Sequence, residues 1–248
     1  MFPYKDENPT YLTPVITIGI VVVNVLVWLV IQGAGADQTL TRSICELGLI
    51  PGELLGRLPQ GYELPLGQGM ACVMTGTPAW HTAVTSMFLH GGWFHLLGNM
   101  WFLWVFGNNI EDSMGHGRFV VFYLLAGLIA AAAQVAAAPS SPVPMVGASG
   151  AISGVMGAYL VLFPRVRVRT LIFFGFFFTR ITVPAWLMLV YWVFLQLVGS
   201  LPAIGNAQTG GGVAFMAHLG GFAAGVVLIK LFTRRDFLNR RRPVVQTF

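Results

Sequence analysis

Residues 212–232 read GVAFMAHLGGFAAGVVLIKLF, with no charge before Lys230 and one costly polar side chain, His218, inside an otherwise apolar run. A bilayer core of roughly 30 Å is crossed by about 20 such residues in helical form. A helix on the surface of a soluble protein would carry a charged or polar stripe on its outer face. Comparable apolar runs occur at 13–33, 94–110, 118–138, 147–163 and 184–200. The whole chain is 56% hydrophobic and only 9% charged, against about 25% charged residues in an ordinary soluble domain. These patterns predict an all-α integral membrane protein of six transmembrane helices, a single membrane domain over residues 1–248 with no separate soluble domain.

The connections fit that plan. Residues 34–92 form a long outer loop rich in Gly and Pro, and such loops are usually functional or interfacial. Trp80, Trp93 and Phe94 suit the headgroup level, where amphipathic rings collect. Of the 14 Lys and Arg, twelve fall on the side shared by the termini and the connections after the second and fourth runs; only Arg42 and Arg57 fall in the outer loop. The positive-inside bias therefore puts both termini in the cytoplasm, with 233–248 as a basic cytoplasmic tail. The net charge of +5 is accounted for by these blocks beside apolar runs, so the implied partner is the lipid bilayer and not nucleic acid. Pro184 is expected to open the fifth helix, where a missing N–H does no harm. The apolar stretch 171–178 is too short to span and is expected to lie on or dip into the membrane surface. Ala34-Gly35-Ala36 looks faintly like a signal-peptidase site, but the run before it is too long and too poor in bases for a cleaved leader.

Polar groups inside spans are expensive and mark where function should be sought. They are Asn24, His95, Asn99, Gln134, Ser149, Ser153, Gln196 and His218, with His90 just outside the second run. The second, fourth and sixth runs enter from the outer side, so His95, Ser149 and His218 share the outer leaflet. His95 and Asn99 are four apart and lie on one helical face. Gly147, Gly150, Gly154 and Gly157 on the fourth run, and Gly221 and Gly225 on the sixth, permit close backbone approach. Taken singly, a serine beside glycine usually packs and bonds its own i−4 carbonyl, and a membrane histidine could equally serve a proton relay. The combination supports nucleophilic catalysis, which needs a nucleophile, a base in reach and donors aimed at the developing oxyanion. Ser149 and His218 are the candidate catalytic pair; His95, Asn99 and the Ser149 backbone N–H are the candidate oxyanion donors; Gly147, Gly150, Ser153 and His90 are candidate supporting residues.

Those residues carry a resemblance. Gly147-Ala148-Ser149-Gly150 resembles the GxSG motif of rhomboid intramembrane serine proteases, His95 to Asn99 their HxxxN, and Ala217-His218-Leu219-Gly220-Gly221 their AHxxG, in the same order. The likeness covers about residues 78 to 232. It implies a rhomboid-like bundle, a Ser149–His218 dyad with no cofactor, an oxyanion site from His95 and Asn99, and transmembrane protein substrates cut near the outer leaflet. It also implies a first loop half-sunk in that leaflet and gating by the fifth helix or by the loop before the sixth, where Gly210, Gly211 and Gly212 allow freedom. Two departures are visible: Trp80-His81 stands where similar proteins often have Trp-Arg, and Ser153 where an aromatic often supports the base.

Three rival readings are weaker. A zinc protease could enlist His90, His95 and His218, but no HExxH is present and no carboxylate lies in a span, so no metal is expected. A transporter would be expected to show inverted repeats or paired broken helices. A non-proteolytic rhomboid-like binding protein typically loses Ser or His, and both are kept here. Cys45 and Cys72 fall in the outer loop, where a disulfide is one of two open outcomes. None of the nine acids sits in a span, so the base is expected to lack a carboxylate partner, with packing at Gly220, Gly221 and Ser153, or a water, orienting it instead. The compact form and lack of a transit peptide point to a multi-pass protein of a bacterial plasma (inner) membrane.

Overall fold

The protein is seen in a computed structural model that describes residues 1–67, 69–174, 177–205 and 214–239. The chain opens with strand β1 (Phe2–Asp6) and helix α1 (Val15–Leu26), which a π-helical segment, Val27–Ile31, prolongs. The long first loop is not structureless. It holds α2 (Asp37–Leu47), α3 (Pro51–Leu54), a hairpin of β2 (Glu63–Gly67) and β3 (Met70–Val73), and the short α4 (Thr82–Thr85). A disulfide joins Cys45 of α2 to Cys72 of β3, which settles the pairing left open above. Then follow α5 (Trp93–Met114), α6 (His116–Ala137) and α7 (Ser149–Leu162). Strands β4 (Arg167–Phe174) and β5 (Phe177–Pro184) precede α8 (Ala185–Gly205), α9 (Phe215–Phe232) and the short α10 (Arg235–Asn239).

Each of the apolar runs is helical, with ends shifted by a few residues. By length and composition, His116–Ala137 and Phe215–Phe232 are long and apolar enough to cross a membrane, while Val15–Ile31, Ser149–Leu162 and Ala185–Ser200 are shorter apolar helices. Apolar side chains face outward as well as inward: Phe94, Leu97, Trp104, Val227 and Leu231 are all more than half exposed. A soluble protein rarely leaves so much apolar surface uncovered. Lipid is the medium that such a surface requires.

The centre of the bundle is the contact of α7 with α9 and α6, and glycine makes it. A methyl at Gly221 would run into the Gly150 carbonyl, one at Gly225 into the Gly154 carbonyl, and one at Gly157 into the Phe222 carbonyl. At Gly154 a methyl would also press on Ala126 of α6. Packing between membrane helices draws on such van der Waals contact, since lipid supplies no hydrophobic drive between helices.

The all-α expectation holds for the bundle but not for the whole chain. β1, β4 and β5 form a three-stranded antiparallel sheet in the order β1-β4-β5, with Lys5 opposite Arg169 and Arg167 opposite Pro184. Within the stretch expected to lie on the membrane surface, 171–174 end β4 and 177–178 begin β5, and Pro184 closes β5 instead of opening a helix. The alternation Arg165-Val166-Arg167-Val168-Arg169 was the signal for this, since period-two patterning belongs to a half-buried strand. The expected glycine freedom at 210–212 and the tail beyond Asn239 lie outside the described residues.

Two buried acids lock α1 onto the bundle. Glu111 accepts the backbone N–H groups of Ile16 and Thr17 at 2.9 and 2.8 Å and the Thr17 hydroxyl at 2.7 Å; Asp112 accepts those of Tyr11 and Leu12 at 3.1 and 3.0 Å. The first amides of a helix lack internal partners, and a carboxylate there also meets the positive end of the helix dipole. The second apolar run accordingly continues past residue 110, through both acids, to Met114.

Candidate active site

Ser149 is the first residue of α7, at the end of a turn that only glycine can make easily. Gly147 has φ +127°, and its N–H donates to the Ser86 carbonyl at 2.9 Å, so the first loop holds the turn from behind. Leu49 and Met145 exchange two backbone hydrogen bonds beside it, at 3.0 and 2.7 Å. His218 lies in the first turn of α9. The glycine contacts of α7 with α9 bring its Nε2 to 2.7 Å from the Ser149 Oγ. The two residues separated by 69 positions are thus within one hydrogen bond.

The other side of the imidazole is held by α8. His218 Nδ1 lies 2.7 Å from Gln196 Oε1, and the Trp192 ring, one turn earlier on α8, lies 5.8 Å from the His218 ring at 45°. Trp192 also stacks on Phe222, one turn beyond His218 on α9, at 6.1 Å. Ser153, expected to take part in supporting the base, instead donates to the Ser149 carbonyl at 2.6 Å. The aromatic support comes from α8. Gln196 was visible in the sequence as a costly polar group and Trp192 shares its helical face, but nothing in the spacing links α8 to His218. Gln134 of α6 accepts the Ala217 N–H at 3.2 Å, satisfying one early amide of α9 next to the base.

His95 and Asn99 lie on the opposite wall. The Gly91 N–H donates to His95 Nδ1 at 3.2 Å. A ring nitrogen that accepts carries no proton, so the neutral ring presents Nε2–H. A Cβ placed on Gly147 would lie 2.8 Å from that Nε2 and 3.5 Å from Ser149 Oγ, so the missing side chain leaves open the space between serine and donor. Asn99 donates one amide hydrogen to the His95 carbonyl at 2.9 Å and keeps a second. Ser149 adds an early helix amide.

Ser149, His218, His95, Asn99, Gly147, Gly150, Ser153, Trp192 and Gln196 all line one cavity of about 340 Å³. His90 does not. It sits behind His95, fully buried, with the two rings 5.2 Å apart at 74°. Gln32 clamps its backbone, accepting from the His90 N–H and donating to its carbonyl, both at 2.8 Å. Burial pushes the His90 imidazole down to about 3, with His95 adding to the effect and the Phe88 backbone opposing it. Support by His90 is therefore that of a neutral ring packed against His95. Among the described residues no three His, Cys, Asp or Glu side chains gather at metal-ligand spacing.

The chain is similar to known proteins of one family. The Rhomboid domain family model matches residues 77–235. The chain is 31% identical over 161 residues to Rhomboid-like protein 11, chloroplastic, of Arabidopsis thaliana, covering 63% of this chain and 54% of that one. It is 42% identical over 81 residues to Rhomboid protease GluP of Bacillus subtilis, covering 33% and 15%. To Rhomboid protein 1, mitochondrial, of Saccharomyces cerevisiae it is 33% identical over 150 residues, covering 58% and 39%. The chain thus spans about half or less of the length of these relatives.

Proposed function

Because this chain belongs to the rhomboid family, whose members are membrane-integral, we propose that it is an intramembrane serine endopeptidase that cleaves transmembrane protein segments near the outer leaflet. The observation that carries this reading is the 2.7 Å approach of His218 Nε2 to Ser149 Oγ inside a cavity that also holds His95 and Asn99. Ser149 Oγ attacks the scissile carbonyl carbon as its proton passes to His218 Nε2. The carbonyl oxygen becomes an oxyanion, facing His95 Nε2–H, the free Asn99 amide hydrogen and the Ser149 N–H. Collapse breaks the C–N bond, and the leaving amine takes the proton from His218. Water, deprotonated by His218, then hydrolyses the acyl ester and regenerates Ser149.

We infer six spans with both termini cytoplasmic. Supporting this, the pairing of β1 with β4, the 2.7 Å bond from Asn109 Nδ2 to Asp6 Oδ2 and the 3.1 Å bond from the Arg234 N–H to the Ser113 carbonyl gather four features at one end of the bundle: the N-terminus, the α5–α6 turn, the α7–α8 connection and α10. Most Lys and Arg belong to those segments. The proposed location is a bacterial plasma membrane; the similar proteins include one named chloroplastic and one named mitochondrial.

The test is purified protein in liposomes, with a fluorophosphonate probe and a reporter transmembrane segment carrying Gly and Pro below the cut. Ser149→Ala and His218→Ala should abolish cleavage and, for the former, labelling, with thermal stability nearly unchanged. Cleavage by Ser149→Ala would overturn the mechanism. No labelling of the parent chain in any membrane-like medium would favour a non-proteolytic binding protein.

A further inference from the structure

We propose that Gln196 is the positioning residue of the catalytic base, an amide on α8 that takes the place an acid holds in soluble serine proteases. The proposal rests on the Ser149–His218 reading and extends it. An imidazole that is to accept the serine proton must have Nε2 free and its proton on Nδ1. The atom facing Nδ1 is the Gln196 Oε1, at 2.7 Å, a carbonyl oxygen that can only accept. It therefore keeps the proton on Nδ1 and leaves Nε2 to accept from Ser149 Oγ, also at 2.7 Å. The reverse amide orientation would offer an N–H to Nδ1, drive the ring proton to Nε2 and leave the pair unable to react.

Two further features bear on this. Trp192, four residues before Gln196 and on the same helical face, lies against the imidazole and against Phe222, so ring tilt and hydrogen bond are set by the same helix. Ser153, on α7, bonds to the Ser149 carbonyl instead and does not compete for the ring. A neutral acceptor also suits the setting. An ionised carboxylate buried at this depth would carry a desolvation cost that pairing with the imidazolium would have to offset, whereas an amide needs only its hydrogen bonds satisfied.

The experiment compares Gln196→Leu and Gln196→Glu with the parent and with Ser149→Ala in liposomes. It follows the rate of fluorophosphonate labelling and the kcat and KM for the reporter segment from pH 5 to 9. Gln196→Leu should lower the labelling rate and kcat by about 10 to 100-fold, taking as a guide the loss when the outer hydrogen-bond partner of a metal-ligating histidine is removed, with KM little changed. Gln196→Glu keeps an acceptor and should restore most of the rate. It should also move the acid limb of the rate profile to higher pH, because a carboxylate favours imidazolium. Parent-like rates in Gln196→Leu would overturn the proposal. If Gln196→Leu is unstable, the Gln196→Glu profile decides: a displaced acid limb supports contact with the base, an unmoved one overturns it. Labelling that persists in Ser149→Ala sinks the underlying dyad and not the role of Gln196 alone.

Discussion

Replacing Gly147 by alanine tests the oxyanion site with a single methyl. The added carbon would sit 2.8 Å from His95 Nε2 and 2.9 Å from its Cε1, about 0.7 Å inside the roughly 3.5 Å of optimal non-bonded separation. It would also occupy the gap beside Ser149 Oγ, 3.5 Å away, where the substrate oxygen must develop charge. Two costs follow. The backbone at φ +127° is one L-residues avoid, for about 1 to 3 kcal/mol of stability. The His95 donor must swing away or be screened, and loss of one preorganised donor costs about 2.7 to 4 kcal/mol in the barrier, or 10² to 10³ in rate. Gly147→Ala should therefore lose at least about 100-fold in kcat while its unfolding temperature in detergent falls only modestly. Gly150→Ala is the control: its methyl meets Ala130 Cβ at 2.7 Å, a packing clash on the α6 side, so stability should suffer more than chemistry. Cleavage by Gly147→Ala at the parent rate, with Gly147 still in its turn, would refute the placement of the oxyanion between His95 and Ser149.

Asn99→Ala should lower kcat by about 10² to 10³ with KM nearly unchanged, since its only described bond is to the His95 carbonyl of its own helix; a change confined to KM would reassign Asn99 to substrate positioning. His90 should make stability fall in acid. Its folded value near 3 lies below the usual 6.5, so the stability is present above pH 6.5 and lost as pH falls toward 3. At about 1.4 kcal/mol per unit that amounts to about 2 kcal/mol between pH 6.5 and 5. His90→Phe should flatten this part of the unfolding profile, and an unchanged slope would count against it. Removing the Cys45–Cys72 disulfide, which closes a separation of 27 residues, should cost about 3 to 4 kcal/mol on the chain-entropy account. An unaltered melting temperature in the Cys45→Ser, Cys72→Ser double variant would contradict it.

The helices and the central pair were legible because the membrane makes polar residues conspicuous. Ser149 and His218 stood out among few such groups, and the glycines beside them announced close packing. What escaped were distant contacts whose partners carry no conspicuous polar or glycine signal. The acids at 111 and 112 read as a helix end because their partners, the amides of Tyr11, Leu12, Ile16 and Thr17, come about a hundred residues earlier. Residues 171–178 did not read as strand because the stretch is uniformly apolar, without the alternation that marks one, and β1 meets β4 only at Val168–Leu171, from the far end of the chain. Packing at Gly220, Gly221 and Ser153, or a water, was expected to orient the base; the contacts of Trp192 and Gln196 with His218 could not be foreseen, because the connection between α8 and α9 hides the register of one on the other.

The bonds from Glu111 and Asp112 to the start of α1 impose an order on biogenesis. When α1 emerges from the ribosome, the acceptors that its leading amides will use have not yet been made. Water or headgroups must serve those amides until α5 arrives, as bare backbone donors are not tolerated in hydrocarbon. The two carboxylates must in turn remain solvated until α1 offers its amides, since an unpaired charge is costly at depth. Neither helix can settle before the other. The start of α1 and the end of α5 therefore become fixed together, and a chain stalled before Glu111 would leave the leading amides of α1 without these acceptors.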